Sequence, residues 1–156
     1  MDKRPSTVEM DEFDRRIVAA LLVDGRMTVT DLACAVGLSK TPCQVRLRKL
    51  IASGVIRGFC AIVDAEKMGM DHVAFAEVKL DDTREQALKA FNAAVQRIAE
   101  VEECHMIASS FDYLLKVRTA DIRRYRAVLG EKISSLPHVA STSTFVAMET
   151  VKERNR

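Results

Sequence analysis

The chain has 156 residues, of which 48% are hydrophobic and 29% are charged, so it can form one sizeable core or two small ones and is not a disordered chain. Its 24 Lys and Arg residues are nearly balanced by 22 Asp and Glu residues, which leaves a formal net charge of +2. This balance excludes a polycation that coats nucleic acid indiscriminately, so function depends on where the charges lie.

The residues 1–10 are predicted to be a polar N-terminal tail. They contain no apolar stretch of the kind that directs secretion, and no uncharged run of the chain is long enough for a membrane-spanning helix. We therefore expect a cytoplasmic protein that has no membrane partner.

Two short helices are predicted in the first part of the segment 11–54. The first begins near Asp11 and stops at Asp24-Gly25, and the second begins at Thr28, whose hydroxyl can cap it, and closes at Gly37. The apolar residues that share one face of the first helix are Phe13, Ile17 and Leu21.

A third helix is predicted from Ser39, as its N-terminal cap, to Ser53, with Gly54 as the stop. Its apolar residues are spaced at i, i+4, i+7 and i+8, which indicates one buried stripe. The residues of this stripe are Cys43, Leu47, Leu50 and Ile51.

The window from Leu32 to Val63 contains no acidic residue but five basic ones. Four of these bases fall on the third helix, where Arg48 and Lys49 lie on the face that turns away from the predicted core and Arg46 flanks that face. A helix, a short glycine turn and a helix with a basic outer face are typical of a helix-turn-helix that reads the major groove. The predicted DNA contacts are Ser39, Lys40, Thr41, Gln44, Val45, Arg46, Arg48, Lys49 and Arg57.

These contacts divide by chemistry. Ser39 and Thr41 can use hydroxyl and backbone N–H groups on phosphate, whereas Gln44, Val45 and Arg48 suit base edges. Arg46, Lys49 and Arg57 are expected to hold the phosphate backbone. A plain solvated helix surface is the simpler alternative, but it leaves the absence of every acid unexplained, since exposed helix faces usually pair opposite charges.

The segment 55–70 is predicted to be a linker, because Val55 to Val63 has a β-rich composition and is followed by loop signals at Asp64 and Gly69. We expect a strand there, with Arg57 within reach of a flanking phosphate. A linker strand without any DNA contact is an equally good interpretation.

The segment 71–156 alternates strand-like and helix-like patterns in the order β-α-β-β-α-β. The predicted elements are β from His72 to Leu80, α from Arg84 to Ala99, β from Val101 to Ser109, β from Tyr113 to Thr119, α from Asp121 to Leu136 and β from Val139 to Thr150. The buried stripes of the two helices are Leu88, Phe91, Val95 and Ile98, and Ile122, Tyr125, Leu129 and Ile133. This order is that of a ferredoxin-like antiparallel sheet covered by two helices, so the fold class is α+β.

Such a sheet has one uncovered face, and the last strand carries apolar residues on both of its sides. Phe145 and Ala147 fall on one side, and Val146 and Met148 fall on the other. We therefore expect the open face to meet a second copy of the chain around a twofold axis.

Enzyme and metal functions are disfavoured. The four cysteines form no CxxC pair, and the three histidines have no zinc-finger spacing, so neither a metal site nor a cofactor is predicted, and the cysteines are expected to be small buried residues. Cys104 and His105 are neighbours in a predicted strand, which turns their side chains to opposite faces and prevents a nucleophilic pair.

The chain resembles the leucine-responsive regulator and asparagine-operon regulator family of bacterial feast/famine transcription factors. The resemblance spans Asp11 to Glu153. Its most specific pieces are Asp24-Gly25-Arg26, Val36-Gly37-Leu38-Ser39, Thr41-Pro42-Cys43, Gly54-Val55-Ile56, Glu102-Glu103-Cys104-His105, Phe111-Asp112-Tyr113-Leu114 and Leu136-Pro137.

The resemblance implies an N-terminal helix-turn-helix (winged-helix-like) domain and a C-terminal ligand-sensing domain, assembled as dimers and often octamers that bind a small amino acid where dimers meet. The implied effector-binding residues are Ser109, Ser110, Phe111, Asp112 and Tyr113 of one subunit with Met106, Ser134, Thr144 and Ala147 of its neighbour. Members of the family usually carry Gly at the position of Ser109, so this loop differs in shape or encloses a smaller pocket.

Within the family, three segments most resemble activators of proline catabolism: Asp71-His72-Val73-Ala74-Phe75, Asp82-Thr83-Arg84-Glu85 and Pro137-His138-Val139-Ala140. The expected function is a sequence-specific regulator of amino-acid metabolism genes, modulated by a small amino acid for which proline is the first choice. A nucleoid-organising protein that wraps DNA with little sequence preference is the alternative, and the operator-to-random affinity ratio distinguishes the two.

Overall fold

The computed structural model describes residues 8–153. The chain divides into two compact units, and the boundary falls between Ile62 and Val63. The predicted tail over 1–10 falls mostly outside the described residues, as do the last three positions of the segment 71–156.

The first unit contains three helices: α1 (Glu12–Val23), α2 (Val29–Val36) and α3 (Lys40–Ala52). Asp11 caps α1 by accepting a hydrogen bond from the Asp14 N–H, and the Thr28 hydroxyl caps α2 by accepting from the Asp31 N–H. Gly37 adopts φ 74° and ψ 33°, the left-handed conformation that ends α2. The buried core of this unit consists of Ile17, Leu32, Ala33, Val36, Cys43 and Leu50.

Two expectations for this unit are wrong. Ile51 is 46% exposed because Leu50 already occupies the core position in the last turn of α3. The segment from Val55 to Val63 is not a strand in the described structure: Val55 and Ile56 pack against the core, and the following residues are exposed. A β-rich composition is insufficient here, because a strand forms only where its backbone groups meet a partner strand.

The second unit is a four-stranded antiparallel sheet with helices on one face, and the predicted ferredoxin-like fold is confirmed. Its elements are β1 (His72–Leu80), α4 (Glu85–Val95), β2 (Val101–Met106), β3 (Tyr113–Thr119), α5 (Ile122–Val128) and β4 (Val139–Val146). The strand order is β2-β3-β1-β4, with β1 at the centre between β3 and β4.

The core of the second unit lies between the sheet and its helices. Alternate residues of β1 and β3 point into it, and they meet apolar residues of α4 and α5. Its largest fully buried side chains include Tyr113, Phe91, Leu115 and Ile133.

The helix predicted from Asp121 to Leu136 is interrupted. The α-helical part ends at Val128, and Leu129–Ile133 forms a π-helical turn in which the Ser134 N–H donates to the Leu129 carbonyl at 2.8 Å. Ile122, expected in the buried stripe, is 53% exposed because it is the first residue of α5 and its side chain leans away from the following turns.

The cysteine prediction is half right. Cys43 is buried and Cys104 is partly buried, whereas Cys34 and Cys60 are exposed. Cys34 lies on the outer side of α2, since Ala33 and Val36 take the core positions there, and Cys60 lies in the exposed linker.

Candidate nucleic-acid interface and effector loop

The turn between α2 and α3 is short and well hydrogen-bonded. The Gly37 N–H donates to the Cys34 carbonyl at 3.2 Å, and the Leu38 N–H donates to the Ala33 carbonyl at 2.9 Å. Leu38 packs against the core of the unit. Together these contacts fix the entry of the chain into α3, which is the arrangement of a helix-turn-helix.

The first turn of α3 exposes polar groups. Ser39 occupies the N-cap position as predicted, with an extended backbone at φ −76° and ψ 160°, but its side chain makes no capping hydrogen bond. The first-turn N–H groups of a helix have no intrahelical partner, so the hydroxyl of Ser39 and the N–H groups of Lys40 and Thr41 can donate to an external oxygen.

The outward face of α3 is exposed and basic. Thr41, Val45, Arg48 and Lys49 are all exposed, and Gln44 beside them is half-buried. Four cations of the acid-free window make no ion pair within the described residues: Lys40, Arg48, Lys49 and Arg57. We call these four the free cations of the first unit.

Arg46, which the sequence predicts to hold the DNA backbone, differs from the free cations because it is ion-paired within the first unit. Its Nη1 donates to Asp11 Oδ2 at 2.6 Å and to Asp14 Oδ1 at 2.9 Å, and its guanidinium carbon lies 5.5 Å from the centre of the Phe13 ring. The hydrogen bond from the Asp14 N–H and the Arg46 guanidinium lower the pKa of Asp11. Because both carboxylates belong to the same molecule, the charge of Arg46 is already paired.

The predicted effector loop joins β2 to β3. The Ile107 N–H donates to the Asp112 carbonyl at 2.9 Å, which closes the loop at its base. Ser109 and Ser110 are exposed at its tip, Phe111 is half-buried, and Tyr113 is buried. Met106 pairs with Tyr113 in the sheet register, so these residues lie together in one chain.

Asp112 also ties this loop to the central strand. Its Oδ2 accepts from the Leu80 N–H at 2.8 Å and lies 3.5 Å from the Lys79 Nζ, and its own N–H donates to the Val78 carbonyl at 2.9 Å. This bracing role belongs to the fold of a single chain.

The remaining predicted effector residues lie elsewhere in the unit. Thr144 lies on β4, where its hydroxyl is 2.8 Å from that of Tyr125, and Ala147 follows the end of β4. Ser134 follows the π-helical turn. Since β4 and β2 form opposite edges of the sheet, one chain does not bring Thr144 or Ala147 to the β2–β3 loop.

The open face of the sheet carries both apolar and charged groups. Phe145 is 55% exposed and pairs with Phe75 across β4 and β1. Beside them lies an ion cluster that the sequence does not reveal. We call it the open-face cluster, and it is made of Lys116 and Arg118 with Glu102 and Glu153. Its acidic members lie 14 to 37 residues from its basic members in the sequence, so no local pattern indicates it.

The positions of Cys104 and His105 on β2 prevent them from forming a reactive pair. Cys104 lies opposite Leu115 and His105 lies opposite Leu114, so the two side chains point to different faces of the sheet. Burial raises the pKa of Cys104 to about 11, which keeps the thiol protonated and a poor nucleophile at neutral pH. His72 Nδ1 is 3.0 Å from the Thr119 hydroxyl.

Among the helices of the described residues, none has the length and apolarity to cross a membrane. The same part of the chain contains no group of three His, Cys, Asp or Glu side chains suited to a metal ion.

Comparison with known proteins identifies both units. Residues 10–51 match the AsnC-type helix-turn-helix domain, and residues 73–156 match the Lrp/AsnC ligand binding domain. The chain belongs to the Lrp/AsnC family of transcriptional regulators. The resemblance inferred from the sequence, and with it the regulatory function, is therefore confirmed.

Three known proteins are similar to this chain over nearly its whole length. A proline dehydrogenase transcriptional activator of Rhizobium radiobacter is 65% identical over 147 residues, which cover 94% of this chain and 94% of that protein. A solved AsnC family regulator of Agrobacterium tumefaciens has a TM-score of 0.86 at 35% identity and covers 92% of this chain and 94% of its own. A solved Neisseria meningitidis regulator in complex with L-Met has a TM-score of 0.85 at 26% identity, covering 93% and 94%.

Proposed function

We propose that this regulator binds operator DNA through α3 and activates genes of proline catabolism in response to proline. The observation that carries the DNA-binding part is the exposed, acid-free face of α3, on which Arg48 and Lys49 have no ionic partner among the described residues. Unpaired cations on a helix that follows a helix-turn-helix turn are suited to displace counterions from a phosphate backbone.

The proposed contacts follow from the position of each side chain on α3. Ser39, Lys40 and Thr41 lie at the helix start, where backbone N–H groups favour phosphate oxygens. Gln44, Val45 and Arg48 lie one to two turns further along and read base edges in the major groove. Lys49 and Arg57 hold the flanking backbone.

Proline as the effector is supported by likeness and by the position of the β2–β3 loop. The Rhizobium radiobacter relative is a proline dehydrogenase activator, and the Neisseria meningitidis relative is solved with an amino acid. We assign the effector to a site shared between subunits, built from the loop of one chain and from Thr144 and Ala147 of another, because these groups lie on opposite edges of one sheet.

Self-association is the second part of the proposal. The open face presents Phe75 and Phe145 beside the open-face cluster, and half of the Phe145 surface is exposed in the single chain. Covering this face with a second copy removes apolar surface from water, and further pairing of dimers gives tetramers or octamers. The assembly acts at the nucleoid in the cytoplasm.

The proposed activity is binding and not catalysis. The protonated thiol of Cys104 and the exposed His105 face opposite sides of the sheet, so neither can activate the other. No cofactor is assigned, since the amino acid acts as an effector.

A genome-wide binding map with and without proline tests the proposal. We expect a small number of strong peaks, with the genes of proline breakdown among them, and a change in their occupancy when proline is added. Even coverage of the genome that proline leaves unchanged contradicts the proposal and favours a DNA-wrapping protein. For measurements in solution, we define the selected duplex as the sequence that the wild-type protein enriches from a random library.

A further inference from the structure

The ionic contacts of Arg46 form a closed set with the start of α1. We call Arg46, Asp11 and Asp14 the Arg46 cluster. Each of its four carboxylate oxygens accepts a hydrogen bond: Asp11 Oδ1 from the Asp14 N–H at 2.9 Å, Asp14 Oδ2 from the Asp11 N–H at 3.3 Å, and the other two from Arg46 at 2.6 and 2.9 Å. The capping box of α1 and a side chain of α3 therefore form one network.

The cluster is in part a core feature. Asp14 is only 3% exposed, and it is one of two polar residues buried within the described chain. A buried carboxylate is costly unless it is ion-paired and hydrogen-bonded, so Asp14 depends on Arg46 for its charge compensation.

The position of Arg46 on α3 explains why it is ion-paired while Arg48 and Lys49 are not. Cys43, Arg46 and Leu50 are spaced at i, i+3 and i+7, so Arg46 lies on the same helix face as the two buried residues of α3. Arg48 is two residues further on, which rotates it by about 200° to the opposite face. A contact that holds Arg46 against α1 therefore sets the rotation of α3 about its own axis.

We propose that Arg46 is a positioning residue for DNA recognition, and that its pairing with Asp11 and Asp14 holds α3 in the rotation that presents Gln44, Val45 and Arg48 to base edges. This inference rests on the proposed DNA-binding function and adds that Arg46 itself does not contact phosphate. The partial enclosure of the guanidinium by the Phe13 ring supports the assignment, because the stacked group is held in place by three partners of α1 and its cap.

The Asp14→Asn variant distinguishes a positioning residue from a phosphate contact by the sign of its effect. If Arg46 positions α3, loss of the Asp14 charge loosens the helix and weakens binding to the selected duplex by about tenfold, a typical coupling for members of one network. If Arg46 instead binds phosphate, the same variant frees the guanidinium and removes a negative charge, so binding becomes tighter.

Two further readouts accompany the affinity for the selected duplex. Affinity for random duplex stays within about twofold of wild type, and the dependence of affinity on salt is unchanged, because the proposed phosphate contacts of Lys40, Lys49 and Arg57 are retained. The control is Glu12→Gln, which removes the same charge from the same turn of α1. Within residues 8–153 the carboxylate of Glu12 pairs with Arg16 and not with Arg46, so this variant should leave binding unchanged.

A second pair of variants covers the case in which Asp14→Asn fails to fold. Asp11→Asn keeps a capping oxygen at a position that is half exposed, and it is expected to weaken selected binding in the same direction by a smaller factor. The Arg46→Gln and Asp14→Asn changes combined remove both charges, and the double variant should bind the selected duplex no more weakly than Arg46→Gln alone.

The outcomes are distinct. Tighter or unchanged binding of the selected duplex by the folded Asp14→Asn or Asp11→Asn protein overturns the positioning role, as does an equal loss on selected and random DNA. Failure of the wild-type protein to prefer any duplex overturns the proposed function itself, and this result is obtained before any variant is made.

Discussion

The basic residues of the two units differ in whether they are paired with carboxylates. In the first unit, Arg48 and Lys49 extend from α3 with no ionic partner among the described residues, and Arg46 alone on that helix is paired. In the second unit, Lys116 and Arg118 are enclosed by Glu102 and Glu153 and are mostly buried. An unpaired cation is available to a partner molecule, whereas an enclosed cation stabilises its own fold. The presence of an ionic partner therefore distinguishes binding residues from stabilising residues better than the charge itself does.

The largest effect is expected at Arg48. Changing Arg48 to Ala removes a proposed base contact and should weaken binding to the selected duplex by about 10- to 100-fold while changing random binding little. A mobility-shift titration with both duplexes measures this. Normal binding of the selected duplex means that the outward face of α3 has been assigned incorrectly.

Asp112 carries the corresponding test for the effector loop. An Asn at this position keeps an oxygen to accept from the Leu80 N–H but loses the charge that the proposed site offers to the ammonium group of proline. Loss of a hydrogen bond to a charged group corresponds to about a tenfold or greater weakening of binding.

Calorimetric titration of the Asp112→Asn protein with proline measures this loss. As a control, the variant should bind DNA in the absence of proline as tightly as the wild-type protein does. Proline affinity equal to that of wild type limits Asp112 to bracing the loop.

Lys49 should show a smaller and less selective effect. Its removal by substitution to Ala weakens binding to selected and random duplexes by the same factor and lowers the slope of log affinity against log salt by about 0.9, the value of one phosphate contact. A loss confined to the selected duplex contradicts the assignment of Lys49 to the backbone.

The smallest effect on DNA, and the clearest effect on stability, is expected at Lys116. Replacing it with Met leaves Glu102 and Glu153 with Arg118 alone and should lower the free energy of unfolding by about 1 kcal/mol, because the cluster is partly solvated. Urea unfolding measures this, with Lys49→Met as the matched substitution. Equal stability of the two variants, or weaker DNA binding by Lys116→Met, removes the distinction between the units.

The pKa of Glu102 provides a check on the same cluster. Burial raises this pKa, but the hydrogen bonds from Arg118 and Lys116 outweigh burial and lower it below the usual value of 4.5. A carboxylate with a lowered pKa stabilises the fold above its usual value and loses that contribution as the pH falls through the lowered one. The stability difference between wild type and Lys116→Met should therefore shrink as the pH falls from 4.5 through the lowered pKa of Glu102.

Much of the first unit was predictable because its signals are local. Thr28, Gly37 and Ser39 mark helix ends within a few residues, and the absence of acids between Leu32 and Val63 is visible without coordinates. The pairing of Arg46 was not recognised, since Asp14 is 32 residues away. The i, i+3, i+7 spacing of Cys43, Arg46 and Leu50 is the signal that could have shown its inward face.

The second unit was predicted in its order of elements but not in its details. The π-helical turn at Leu129–Ile133 and the exposed Ile122 depend on packing that helical periodicity does not describe. The strand expected at Val55 to Val63 failed because composition does not supply a hydrogen-bonding partner. The effector residues on β2 and β4 come from a family resemblance, and one chain keeps them on opposite sheet edges.

The most direct test of the central claim is the ratio of wild-type affinities for the selected duplex and for a scrambled duplex of the same composition at about 150 mM salt. If the outward face of α3 reads base edges, this ratio is at least about 1,000. A ratio near one shows that the free cations bind phosphates alone, and it contradicts the proposed role in controlling particular genes.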